Sequence, residues 1–214
     1  MFKKKPFFIV FEGIEGCGKS YQSKKLFINL RKKKIPTIIT REPGGTKSAE
    51  IIRDLILKDY FGLHKINKFD RYTDTLLYLA ARNEHIVNKL KPALKKKKII
   101  ICDRFIDSTY AYQVFGKKVN KNFIDNIHKK ILNGIKPDLT FILNVKMSTA
   151  IKRLKKRKQK NRYDKFPKTF YIKAQKAFMK LAKNKNKYCI MDSSKNTKDL
   201  ENKILDIVLN KIKY

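Results

Sequence analysis

The densest chemistry in the chain lies near its start, in Gly13-Ile14-Glu15-Gly16-Cys17-Gly18-Lys19-Ser20. The run fits G-x-x-x-x-G-K-[ST], a loop whose glycines let successive backbone N–H groups turn toward phosphate oxygens. In such a loop Lys19 reaches the β- and γ-phosphates of a nucleotide and Ser20 ligates Mg²⁺. A second cluster follows Ile99-Ile100-Ile101-Cys102, where an apolar run ends in Asp103 and Arg104. Asp103 stands where a strand-end carboxylate holds Mg²⁺ or its waters; a plain ion pair with a neighbour is the alternative. Arginine is scarce beside lysine. Arg41, Arg53, Arg82, Arg104, Arg153, Arg157 and Arg162 are therefore sites where a planar, bidentate guanidinium is expected, while Arg31 and Arg71 read as surface.

The elements needed to position these groups are legible. Short apolar runs alternate with longer helical patterns, the rhythm of a parallel α/β sheet. Strands are expected at Phe7 to Phe11, Thr37 to Thr40, Ile99 to Cys102, Leu139 to Val145 and Tyr188 to Met191. Helices are expected at Lys19 to Lys32, Lys47 to Leu57, Thr73 to Leu90, Asn120 to Leu132, Ser148 to Lys156, Lys168 to Ala182 and Thr197 to Lys211. The phosphate loop thus joins a doubly covered strand to a helix whose positive end faces a bound anion. Neither an internal repeat nor a Gly/Ser/Pro linker divides the 214 residues, so one domain is expected. The most polar stretch, Lys152 to Lys165, reads as an exposed loop or a lid.

Composition removes other classes. With 42% hydrophobic residues the chain can bury a core, which argues against a disordered polyelectrolyte despite a net charge of +35. That charge is mostly lysine, scattered among Asn and Ile, the mixture AT-rich codons encode. A nucleic-acid footprint would concentrate it on one element, so no dedicated nucleic-acid partner is expected, although a positive field favours encounter with anionic nucleotides. Cys17, Cys102 and Cys189 form no Cys-x-x-Cys pair and the histidines are isolated, so neither a disulfide framework nor a zinc site emerges. No apolar run is long enough for a signal or a membrane span, and a cytoplasmic protein is expected.

Longer segments are more specific. Thr40-Arg41-Glu42-Pro43-Gly44-Gly45-Thr46, Ala80-Ala81-Arg82, Asp103-Arg104-Phe105, Ser108-Thr109-Tyr110-Ala111-Tyr112-Gln113 and Pro137-Asp138-Leu139-Thr140 follow the Phe11-to-Ser20 segment in order. Together they resemble the thymidylate kinase family over almost the whole chain. The resemblance implies a three-layer P-loop NTPase fold with a central parallel sheet of about five strands and a short helical lid at about 152–166. It also implies ATP and Mg²⁺ as cofactors, phosphorylation of dTMP to dTDP, and a homodimer.

Residue roles follow from that resemblance. Arg53 and Arg104 match arginines that clamp the acceptor phosphate, and Tyr78 matches the ring, usually Phe, on which thymine stacks. Arg82 matches the arginine that bonds the base edge; Tyr78 and Arg82, at i and i+4, share a helix face. Thr109 and Gln113 match readers of the polar edge of thymine, Tyr112 the residue packed against the deoxyribose, and Glu12 an acid near the 3′-hydroxyl and Mg²⁺. Phe105 receives no role. Some members carry an arginine in the phosphate loop where this chain has Gly16; those without it use lid arginines. Arg157 and Arg162 are then expected to neutralise the transferring phosphoryl group and Arg153 to pack on adenine, although Asn161 replaces a usual Asp. A kinase for another nucleoside monophosphate or for a deoxynucleoside, and more distantly a basic ATPase that binds nucleic acid, are the competing readings.

Overall fold

A strand covered on both faces needs apolar side chains at every position, and the middle strands have them. In the computed structural model β1 (Phe7–Glu12) is buried from Phe8 onward, β3 (Ile99–Asp103) up to Cys102 and β4 (Leu139–Asn144) up to Leu143. The edge strands β2 (Thr37–Arg41) and β5 (Tyr188–Asp192) are more exposed. All five run parallel in the order β2-β3-β1-β4-β5. The chain therefore moves to one side of β1 and then to the other, and the loop after β1 sits at the switch point where open parallel sheets bind ligands. The structure describes residues 5–58, 68–157, 162–183, 186–195 and 197–212.

The period of two along each strand separates two cores. Ile9, Phe11, Ile99 and Ile101 face one layer, which includes Leu26, Leu30, Phe178 and Ile204. Phe8, Val10, Ile100 and Cys102 face the other, with Ile86, Leu90 and Phe105. Phe11 and Phe141 are register partners on β1 and β4, and their rings stack at 5.1 Å.

Among the described residues the α-helices are α1 (Lys19–Lys32), α2 (Lys47–Leu57), α3 (Arg71–His85), α4 (Lys91–Lys95), α5 (Ile106–Thr109), α6 (Lys121–Leu132), α7 (Met147–Lys155), α8 (Lys168–Leu181) and α9 (Lys198–Lys211). Thr46, Asp70 and Asn120 cap α2, α3 and α6 through side-chain oxygens that accept backbone N–H groups. The single helix expected at Thr73 to Leu90 is longer: α3 continues through a wide, π-type turn at Ile86–Leu90 into α4. Pro92 supplies a reason, since it lacks an N–H and its ring crowds the carbonyl four residues back, within that turn. Helix α5 and the wide turn Tyr110–Gly116 after it were not expected. Their β-branched and aromatic residues are weak helix formers; packing decides, with Tyr112 held between Phe170 and Phe178 of α8. Of the expected lid, 158–161 lie outside the described residues. Among the described residues no helix is long and apolar enough to cross a membrane.

Replacing Phe141 with Ala removes one half of the stack that ties β1 to β4. The expected cost is about 3–5 kcal/mol, read as a lower urea midpoint with an unchanged slope.

Candidate active site

At the C-terminal edge of the sheet a cavity of about 610 Å³ opens between the phosphate loop, the β2–α2 loop, α3, α5 and α7. Its walls carry Lys19, Ser20 and Asp103 on one side and Arg53, Tyr78 and Gln113 on another. A volume of this order suits a small-molecule ligand.

The loop after β1 turns through positive φ at Gly13 (139°), Gly16 (77°) and Gly18 (94°). A methyl group at Gly16 would lie 2.6 Å from the carbonyl oxygen of Ala150 on α7, so both its φ and its neighbour demand glycine. The Lys19 ammonium sits at the centre of the loop and donates to the carbonyls of Gly13 (3.0 Å) and Ile14 (2.8 Å). Ile14 and Cys17 are buried in the core beneath it. The Ser20 hydroxyl donates to the carboxylate of Asp103. A hydroxyl and a carboxylate side by side fit Mg²⁺, which takes few protein oxygens and fills its shell with water and phosphate. Among the described residues no three His, Cys, Asp or Glu side chains gather to hold a metal ion.

Arg104 follows β3 in the left-handed region, at φ 74°, where a bulky residue is uncommon and worth attention. Its guanidinium donates to the Gly13 carbonyl (2.9 Å), the Ser108 hydroxyl (3.0 Å) and Glu15 (2.8 Å), and lies 5.2 Å over the Tyr112 ring. Burial opposes its charge, but the oxygens of Tyr112, Glu15 and Asp103 outweigh that and raise its pKa. Glu15 also accepts from the Tyr112 hydroxyl at 2.7 Å. Burial pushes Glu15 up, yet Arg104 and Lys19 hold it below the ordinary carboxylate range.

Glu12 is located differently from expectation. It is fully buried behind the cavity, and its oxygens accept from the N–H groups of Phe105 (2.8 Å) and Ser108 (3.1 Å) and from the Ser108 hydroxyl (2.6 Å). It therefore holds the start of α5, and the acids in the cavity wall are Glu15, Glu42 and Asp103. Motif reading missed this because Glu15 sits at a position that the phosphate-loop pattern leaves unspecified.

Tyr78, Arg82, Thr109, Tyr112 and Gln113 all reach the same cavity. Arg82 is held rigidly: it donates to Glu42 (2.8 Å), Thr109 (2.8 Å), His128 (2.7 Å) and the Phe105 carbonyl (2.9 Å). Burial alone would raise Glu42; Arg82 and His85 keep it low. Burial and then the Arg82 charge push His128 down to about 3, so its neutral ring can accept from the guanidinium. Behind Glu42, His85 bridges to it (2.9 Å) and to Thr40 (2.7 Å). Sequence reasoning passed over Glu42, His85 and His128; their only signal was Glu42 within a quoted motif. Phe105, given no role, lies 5.3 Å beneath the Arg82 guanidinium.

Arg53 lines the wall and donates to the Pro43 carbonyl at 2.6 Å. Arg153 ties α7 to the phosphate loop, donating to the carbonyls of Gly16 (3.2 Å) and Ser194 (2.9 Å). Arg157 is in the cavity wall. Arg162 pairs with Asp74 of α3 and is not among the described residues that wall the cavity.

A parallel sheet with a glycine-rich phosphate loop at its switch point, opening on an arginine-lined cavity, defines the class of P-loop nucleotide kinases. The family model "Thymidylate kinase" matches residues 11–204, and the chain belongs to the thymidylate kinase family. It is 37% identical over 209 residues to the thymidylate kinase of Mycoplasma capricolum, covering 96% of each chain. It is 39% identical over 175 residues to that of Rickettsia typhi, covering 82% of each. The crystal structure of thymidylate kinase from Ehrlichia chaffeensis superposes with a TM-score of 0.74 at 31% identity, covering 95% of this chain and 99% of that one. Membership makes the chain a nucleoside monophosphate kinase, a phosphotransferase acting on small molecules.

Burial, then the charge of Asp107, push Glu12 from an ordinary 4.5 up to about 8. Between those values the folded chain keeps a proton that the unfolded chain has released, so stability should fall as pH rises through the window. Glu12→Gln removes that titration while its Oε1 keeps an acceptor for the N–H groups of Phe105 and Ser108. Urea unfolding from pH 5 to 8 should show a flatter stability profile for the variant; a constant offset from wild type would contradict the assignment.

Proposed function

We propose that this chain transfers the γ-phosphoryl group of ATP to dTMP, giving dTDP. The observation that carries the reading is one cavity lined both by the phosphate loop and by Arg104, Arg82 and Tyr78. The donor phosphates lie along the loop, with Lys19 moving from the carbonyls of Gly13 and Ile14 to their oxygens. Ser20 and Asp103 would hold Mg²⁺, which when bound offsets phosphate charge. The thymine ring stacks on Tyr78, and Arg82, Thr109 and Gln113 meet its polar edge. Arg104 and Arg53 hold the acceptor phosphate, while Glu15 orients Arg104 and, with Tyr112, faces the deoxyribose.

The acceptor needs no general base. A phosphate monoester has its second pKa near ~6 and is largely dianionic at neutral pH. The chain's task is to bring two anions in line, neutralise them and exclude water. Arg157, on the wall beside the loop, is the residue assigned to the transferring group. Because Gly16 has no room for a side chain, the extra cation comes from the lid, and Arg153 anchors α7 against the loop rather than covering adenine.

We also assign the chain to a homodimer in a single-domain, cytoplasmic form. Ile51 (74% exposed) and Leu55 on α2, Leu76 on the adjoining α3 and Val87 in the wide turn after it are exposed apolar side chains suited to a second copy. The three free cysteines agree with a reducing compartment.

Purified protein with ATP and Mg²⁺ should turn over dTMP in strong preference to dCMP, dGMP, AMP and thymidine; ATP hydrolysis indifferent to any acceptor would sink the proposal. Arg157→Ala should lower kcat by about 10³-fold with the fold intact, on the scale of other arginines that act on a transferring phosphoryl group, and a loss below tenfold would remove that residue from the role. In sedimentation velocity the wild type should run as a dimer and Ile51→Glu as a monomer.

A further inference from the structure

Helix α3 carries a third functional residue on the face already occupied by Tyr78 and Arg82. Asp74, Tyr78 and Arg82 follow at i, i+4 and i+8, so successive members are neighbours along that face. Asp74 is 1% exposed, which for a carboxylate requires compensation. It has two cations: Lys117 donates to one oxygen at 2.6 Å, and Arg162, from the far end of the lid, donates to the other. The guanidinium of Arg162 lies 5.4 Å over the ring of Tyr163 and the Lys117 ammonium 5.8 Å over the same ring. Tyr163 is buried, lines the cavity, and meets Tyr78 (6.3 Å) and Tyr112 (5.7 Å) edge-on.

We propose that Asp74 and Arg162 are positioning residues: their ion pair fixes the C-terminal end of the lid onto the nucleobase pocket. The N-terminal end is fixed by Arg153 on the carbonyls of Gly16 and Ser194. Arg157 lies between the two posts, on the cavity wall. The anchor therefore couples the pocket that stacks the base to the cation that faces the transferring phosphoryl group, and Arg162 acts through Arg157 and Tyr163 rather than on phosphate. This rests on the kinase reading above.

Two measurements on the full-length chain test it. In steady-state turnover with ATP and dTMP, Arg162→Gln and Asp74→Asn should each lower kcat about tenfold and raise the KM for dTMP, and the double variant should be no worse than the poorer single one. Hydrogen exchange at the amides of 162–166, in protein without nucleotide, should quicken at least tenfold in both variants. Multiplying effects, a kcat loss for Arg162→Gln at unchanged dTMP KM, or unaltered exchange would each overturn the anchor. Should Asp74→Asn fail to fold, with two cations left buried, Arg162→Gln alone decides, because Lys117 still serves Asp74 there. A wild-type protein inactive on dTMP would refute the kinase reading, and the exchange measurement would still judge the anchor.

Discussion

Positive charge buried before any substrate arrives must be answered from within the chain, and the way Arg104 is answered organises the site. Its guanidinium joins three segments: the phosphate loop through Gly13 and Glu15, α5 through Ser108, and the ring of Tyr112. Ser108 in turn donates to Glu12 at the end of β1. The ends of β1 and β3, adjacent in the sheet, are thus locked by side chains as well as by backbone. Loosening any member would leave a charge in low dielectric without its partner, a far costlier state than the intact cluster is worth. On the proposed reading, the cluster fixes the phosphate loop relative to the rest of the cavity wall, a spacing that in-line transfer depends on.

Arg82 repeats the device elsewhere in the cavity wall, where the proposed reading seats the base. Among the described residues four acceptors take its N–H groups, on α6, α5 and the loops after β2 and β3. Such a guanidinium cannot turn to suit a different base edge, and selectivity of this kind comes from groups that stay put. The histidine behind it contributes by remaining neutral: a protonated ring could not accept from an arginine.

Much of this was legible in advance, for identifiable reasons. Doubly buried strands announce themselves by unbroken apolar runs, and all five were found within a residue or so of their ends. The phosphate loop was legible because its backbone requires Gly at fixed positions. The α5 segment was not, because Ser108 to Gln113 is helical only through its packing on α8 and its tie to Glu12. Glu12 and Glu15 are alike in type and three residues apart, so only the path of the loop could tell which one faces the cavity. Glu42, His85 and His128 come from distant parts of the chain, and no local pattern could have joined them to Arg82.

The contact between Gly16 and α7 bears on how such enzymes can change. A side chain at position 16 and a helix whose Ala150 carbonyl would lie 2.6 Å from its first carbon exclude each other. Moving the cation from lid to loop is therefore not a single exchange of one residue for another. A side chain added at position 16 would first unseat the helix that carries Arg153, whose guanidinium is itself bonded to the Gly16 carbonyl. On the proposed assignment of Arg157, a chain changing in this way loses the old arrangement before gaining a new one, and the route between them crosses a valley.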